Sequence, residues 1–176
     1  MRLIAILALL LAGCGSLPAA SLPPPAGAAG PLAAGAFSIE PAHDRLRRAD
    51  GASTATGREP TAIVLVDRGT KVAVLCGRER VLELYDARTL ARLGRAGAGI
   101  GPTAVTTDGA ELLWVTDVRG DALLVFHLRP RFELIRRVAV PGGPRAVAFD
   151  RGTLTIALRE GVVHYVAGSR PVLRTR

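Results

Sequence analysis

Three arginines at similar positions are the residues of this chain best suited to binding a ligand. Arg78 and Arg119 follow the turn aspartates Asp67 and Asp108 at the same distance along the chain, and Arg159 lies in the corresponding part of a later segment. A guanidinium presents a planar fork of N–H donors that matches carboxylate and phosphate oxygens. We therefore predict an arc of guanidiniums that receives an anionic group, with ordinary solvated turns as the alternative.

Residues for metal or nucleophilic chemistry are few and form no known motif. His127 and His164 lie on apolar segments, and no HExxH, CxxC or paired-carboxylate motif accompanies them. Cys76 is interpreted as a small buried apolar residue, because a reactive thiol needs a base beside it. Asp150, like the two aspartates above, precedes a glycine turn and is expected to bond its own backbone. We expect no catalytic residue, no metal and no cofactor.

The elements that position these residues form a repeat of constant period. Each unit begins at a proline, Pro60, Pro102 or Pro144, and continues with an apolar run, and the three prolines are evenly spaced. Four short strands are predicted in each unit, the first three separated by polar or Asp/Gly turns and the fourth weaker. The spacing of the prolines falls within the period of about 40–45 residues that is typical of four-stranded β-propeller blades.

The predicted fold class is therefore all-β, an incomplete β-propeller of about three four-stranded blades in an open arc. The blades are assigned to residues 60–101, 102–143 and 144–176. Closed rings commonly contain about 4–8 blades, so the arc is expected to leave sheet edges open, and these favour self-association.

The middle unit resembles the YVTN-type β-propeller repeats, relatives of the NHL and WD propellers. The likeness lies in Gly101-Pro102-Thr103-Ala104-Val105 and in Trp114-Val115-Thr116-Asp117, which stands where the family has Tyr-Val-Thr-Asn. The other two units depart from that tetrapeptide. The resemblance implies an extracytoplasmic scaffold and no particular reaction.

The N-terminus has the plan of a secretory signal. Met1-Arg2 precedes the apolar run from Leu3 to Leu11, which is too short to span a bilayer as a helix. Leu11-Ala12-Gly13-Cys14 resembles the bacterial lipobox, which implies cleavage after residue 13 and a lipid on the Cys14 thiol. An ordinary signal peptide with a coincidental cysteine is the alternative.

Two segments separate the signal from the repeats. Residues 14–36 are rich in Pro, Ala and Gly and are expected to be a disordered tether. Residues 37–59 are left as either half of a degenerate blade or a loop.

The composition limits the kinds of partner that the protein is expected to bind. The formal net charge is +8, carried almost wholly by arginine, which suits an anionic lipid or envelope polymer. Nucleic acid is not expected, because the chain has few aromatic residues, no Asn or Gln, and an export signal.

Two function classes follow from these features. The favoured one is an exported, membrane-anchored lipoprotein whose partial propeller is a non-catalytic binding scaffold for a protein or an anionic envelope polymer. The alternatives are a propeller enzyme of the lyase or lactonase kind with a channel metal, and a shortened product of a longer propeller gene.

Overall fold

A computed structural model of the chain describes residues 31–166, and these residues are almost entirely β-strand. Fifteen strands form four antiparallel sheets, and the only helical segments in this range are two 3-10 turns, Pro41–His43 and Asp67–Gly69. The predicted all-β class is confirmed. In each sheet the strands lie in the order in which they occur in the chain.

The first sheet lies in the segment whose structure the sequence left open. It contains β1 (Ala33–Ala34), β2 (Phe37–Glu40), β3 (Arg45–Arg48) and β4 (Ser53–Ala55). Strand structure therefore begins inside residues 14–36, which the sequence assigned to a tether. Gly35, with a φ of 58°, closes the turn between β1 and β2, a backbone conformation that glycine adopts at little cost.

The other three sheets follow the predicted repeat. The second contains β5 (Pro60–Val66), β6 (Lys71–Cys76), β7 (Val81–Asp86) and β8 (Arg92–Gly97). The third contains β9 (Pro102–Thr107), β10 (Leu112–Asp117), β11 (Ala122–His127) and β12 (Glu133–Ala139). The fourth contains β13 (Ala146–Asp150), β14 (Thr153–Ala157) and β15 (Val162–Val166). The fourth strand predicted within residues 171–175 lies outside the described residues.

The core lies between successive sheets. Strands β1, β5, β9 and β13 pack side by side, so that each sheet presents one face to the sheet before it and the other to the sheet after it. Side chains alternate between the two faces of a strand, and the buried positions form three apolar clusters. The cluster between the first and second sheets includes Leu46 and Tyr85. The one between the second and third includes Leu75 and Phe126, and the one between the third and fourth includes Trp114 and Ile156.

One backbone hydrogen bond recurs with the period of the sequence. The N–H groups of Thr56, Ala98 and Val140, which are spaced like the prolines, donate to the carbonyl oxygens of Asp44, Arg80 and Asp121 at 2.8, 2.7 and 2.7 Å. Each acceptor is the residue before the third strand of its sheet and has a positive φ, of 51°, 57° and 45°. The bond ties the exit from one sheet to the loop between its second and third strands.

Candidate functional site

The three predicted arginines lie on the same side of the arc. Arg78, Arg119 and Arg159 occupy the loops between the second and third strands of the second, third and fourth sheets, and all three are exposed. Those loops share one side of the arc with the segments that join consecutive sheets, because the strands are antiparallel. We call this side the arginine face, and the side formed by the other turns the opposite face.

Two of the three arginines meet at one depression. Arg119 and Arg159 line an open hollow of about 690 Å³ between the third and fourth sheets, together with Pro141, Gly142 and Gly143. Arg78 is not among the residues that line it. The structure thus brings together two members of the predicted arc.

Glycines support both arginines of this depression. A β-carbon on Gly101 would lie 2.8 Å from Cγ of Arg119, and one on Gly143 would lie 2.8 Å from Nε of Arg159. Both glycines stand directly before the proline that begins a repeat unit, so they occupy equivalent positions one period apart. The corresponding residue before Pro60 is Glu59, so Arg78 has no equivalent glycine beside it.

The arginines of this face have no partner among residues 31–166. Six lie in its loops and joining segments, and none of the six makes an ion pair or a side-chain hydrogen bond within the described part of the chain. They are Arg58, Arg78, Arg80, Arg119, Arg145 and Arg159.

Carboxylates of the same face are largely occupied. The Asp44 carboxylate accepts the N–H of Glu59 at 2.7 Å, and that of Asp121 accepts the N–H of Gly143 at 2.8 Å. Glu79 pairs with Arg95, which lies on an outer strand. Of the two carboxylates lining the depression, Asp121 is therefore held by a backbone N–H group and Glu160 has no partner within residues 31–166, so two guanidiniums and two carboxylates line it.

Two buried carboxylates fix the segments that lead into the first strands of their sheets, and the sequence did not predict them. Glu83 on β7 and Asp117 at the end of β10 are both 0% exposed. Glu83 accepts the N–H of Gly57 at 2.8 Å, and Asp117 accepts the N–H groups of Ile100 and Gly101 at 3.1 and 2.8 Å. In the sequence, Asp117 stands out only as the last residue of the tetrapeptide that resembles Tyr-Val-Thr-Asn. Its burial shows instead that it fixes the segment leading into β9.

A small polar cluster surrounds Glu83. Its carboxylate accepts the Tyr85 hydroxyl at 2.6 Å and lies near the guanidiniums of Arg92 and Arg95, at 3.1 and 3.4 Å. Burial, and secondarily the Glu83 charge, raise the pKa of the Cys76 thiol to about 12. Burial and the hydrogen bond to Glu83 also raise the pKa of Tyr85. Cys76 is buried, as the sequence predicts, and its thiol is held in the protonated, unreactive form.

The turn aspartates differ from one another. Asp108 accepts the N–H groups of Ala110, Glu111 and Leu112, as expected for a residue that bonds its own turn. The prediction is wrong for Asp67, whose carboxylate binds Lys71 and, across to the third sheet, Arg129, each at 2.6 Å.

The paired cations account for the ionisation of Asp67. The hydrogen bond from Lys71, followed by that from Arg129, lowers the pKa of Asp67 well below its usual range. This carboxylate therefore joins two sheets and is not aimed at a ligand.

The histidines lie apart from one another and from the depression. His127 is 3.2 Å from Glu111, and Nδ1 of His164 is 3.1 Å from the Thr155 hydroxyl. No group of three metal-ligating side chains occurs within residues 31–166.

Cys14, the predicted lipidation site, lies outside the described residues. Among the residues that the structure describes, no helix is long and apolar enough to cross a membrane.

Comparison with known proteins identifies the fold. No protein-family model and no curated protein matches the chain. Streptogramin B lyase has a similar solved structure, with 13% identity and a TM-score of 0.62, covering 80% of this chain and 50% of that one. A functionally unknown protein from Desulfotomaculum acetoxidans DSM 771 has 12% identity and a TM-score of 0.62, covering 75% and 47%.

A third similar structure is Kuenenia stuttgartiensis hydrazine synthase. It has 19% identity and a TM-score of 0.58, covering 66% of this chain and 34% of that one. The chain thus spans half the length of these proteins or less. At such identities the likeness concerns the fold alone, and together with the four sheets it defines the class of protein, an incomplete β-propeller with open ends.

Proposed function

We propose that this protein is an exported lipoprotein, anchored through Cys14, whose partial propeller binds an anionic component of the cell envelope without catalysing a reaction. One observation carries the binding proposal: Arg119 and Arg159 share a depression, are supported by glycines, and have no partner within residues 31–166. Charge-assisted bonds from guanidinium forks to phosphate or carboxylate oxygens are among the strongest polar contacts available.

The composition of the innermost strands supports a binding role over an enzymatic one. A propeller enzyme with a channel metal needs carboxylate or imidazole ligands on the first strands of its sheets. β1, β5 and β9 carry none, and β13 has only Asp150 at its end. The likeness to streptogramin B lyase at 13% identity therefore gives no reason to assign lyase chemistry to this chain.

Lipid anchoring is tested by intact-mass spectrometry of the protein purified from a bacterial host. We expect cleavage after residue 13 and a lipid mass on Cys14, and a Cys14→Ser variant that lacks both. An unmodified cysteine in the wild-type protein would remove the anchoring proposal.

Anion binding is tested by titrating the full chain with long-chain inorganic polyphosphate, with neutral dextran as the reference polymer. Replacing both Arg119 and Arg159 by alanine is expected to weaken polyphosphate binding by at least about tenfold, since a hydrogen bond between charged groups contributes about 1.5–3 kcal/mol. The matched control replaces Arg68 and Arg88, two arginines of the opposite face that also have no ion pair within residues 31–166. Equal affinities of the two double variants would refute the assignment of the site.

A further inference from the structure

One face of the first sheet points away from the second sheet, and we call it the outward face. It is polar, unlike the faces that pack between the sheets. Ser38, Arg47 and Ser53 form one cross-strand row of β2, β3 and β4, and Glu40 and Arg45 belong to the next row on the same face. These side chains are exposed or partly exposed. The alternate residues Phe37, Ile39 and Leu46 are buried against the second sheet.

The polar residues of this face are bonded to one another. Arg45 Nη1 donates to the Ser53 hydroxyl at 3.0 Å, and Arg47 Nη1 donates to Glu40 Oε1 at 3.2 Å. Arg48, which points to the other face, instead donates to the carbonyl oxygen of Ala87 in the second sheet at 3.0 Å. Because side chains alternate between the two faces of β3, Arg48 joins the first sheet to the second, whereas Arg45 and Arg47 point outwards.

Packing another blade on this face would bury charge. The three interfaces between the sheets of residues 31–166 are apolar clusters, whereas this face offers two guanidiniums and one carboxylate. Each ion removed from water costs several kcal/mol unless it is fully paired, and Arg45 has only a serine as its partner within the described residues. Repeat arrays commonly end in a unit whose outer face is polar for this reason.

We infer that the outward face of the first sheet is an end cap on which no further blade packs. A second copy of this chain therefore does not close a ring against the first sheet. Self-association, which the sequence predicts from open sheet edges, is restricted to other surfaces of the arc. The cap is independent of the anion site proposed above, because none of its residues lies in the depression.

A cysteine placed on the cap tests this inference in the full chain. Ser53→Cys puts a thiol on the outward face, and its labelling by a maleimide is followed by mass spectrometry of the peptide that contains residue 53. We expect the same labelling rate in dilute and concentrated protein, with the buried Cys76 unlabelled as an internal control. A rate that falls as protein concentration rises would show that another copy covers the face and would overturn the inference.

A second variant tests whether the charges prevent another blade from packing on this face. Glu40→Val, Arg45→Val and Arg47→Val together give this sheet an apolar outward face, and we expect sedimentation velocity to show association that the wild type lacks. The matched control, Arg45→Lys with Arg47→Lys, keeps the charges and should sediment as the wild type does. A folded valine variant that also sediments as the wild type does would contradict the inference, and if the valine variant fails to fold, the Ser53→Cys measurement decides alone.

Discussion

Replacement of Glu83 by leucine is expected to lower the free energy of unfolding by about 1–3 kcal/mol, the usual cost of leaving a buried polar group without its hydrogen-bond partner. That group is the buried N–H of Gly57, which would lose its acceptor. The Tyr85 hydroxyl would lose Glu83 as its acceptor and could donate its one proton to the carbonyl oxygen of Ala55, 3.1 Å away. Arg92 and Arg95 contribute little, because their side chains are 55% and 45% exposed and can return to water.

Glu83→Gln is the matched control for this prediction. Glutamine keeps an oxygen that can accept from Gly57 and Tyr85, so only the charge is lost and the cost should be clearly smaller. Urea unfolding of the full chain, followed by circular dichroism and by the fluorescence of Trp114, the only tryptophan, measures both variants. An unchanged unfolding midpoint in Glu83→Leu, or equal losses in the two variants, would refute the role assigned to this carboxylate.

Three further predictions concern other parts of the arc. The Cys76 thiol should not react with Ellman's reagent in the folded protein. Because its pKa is raised to about 12, stability should fall as the pH rises above the unfolded value of about 8.5, and urea titrations should show a smaller fall in Cys76→Ala. The pKa of Asp67 is lowered by Lys71, so its stabilisation is present above the unfolded value of about 3.9 and is lost at lower pH. Asp67→Asn should therefore be less stable than the wild type at neutral pH, and in thermal melts this difference should shrink as the pH falls from about 4 towards 2; an equal difference at neutral pH and near pH 2 would contradict this. Gly143→Ala should weaken polyphosphate binding by displacing the arginine it supports, whereas Gly152→Ala, which also has a positive φ but open space around it, should not.

The repeat could be predicted because its signals are local. The evenly spaced prolines, the apolar runs and the Asp/Gly turns each lie close in sequence to the structure they specify. The strands that the sequence predicts, for example Val81 to Tyr85, Leu112 to Thr116 and Val162 to Val166, accordingly coincide closely with β5 to β7, β9 to β11 and β13 to β15.

The first sheet was harder to predict because only one of its faces is apolar. β3 is Arg45-Leu46-Arg47-Arg48, in which a single buried leucine carries the core contact. β1 has two alanines and no pattern of its own, and it pairs only because the turn at Gly35 brings it against β2. Such strands depend on contacts distant in the chain and not on their own composition.

The buried carboxylates were missed for a related reason. A charged residue within a strand is usually exposed, so the sequence offers no reason to place Glu83 or Asp117 in the core. One signal was present: Glu83 shares its face of β7 with Tyr85, whose aromatic ring favours burial. The sequence also could not predict that Arg119 and Arg159 lack partners within residues 31–166. Their pairing depends on where every nearby carboxylate lies, which the sequence does not specify.

The dependence of polyphosphate affinity on salt tests the central claim most directly, because it reports how many charged contacts the arginine face contributes. For the wild type, the logarithm of affinity should fall linearly with the logarithm of salt concentration, and removing Arg119 and Arg159 should reduce that slope by about one for each arginine. Removing Arg68 and Arg88 from the opposite face should leave the slope unchanged. A slope that is the same in the wild type and both double variants would contradict the account.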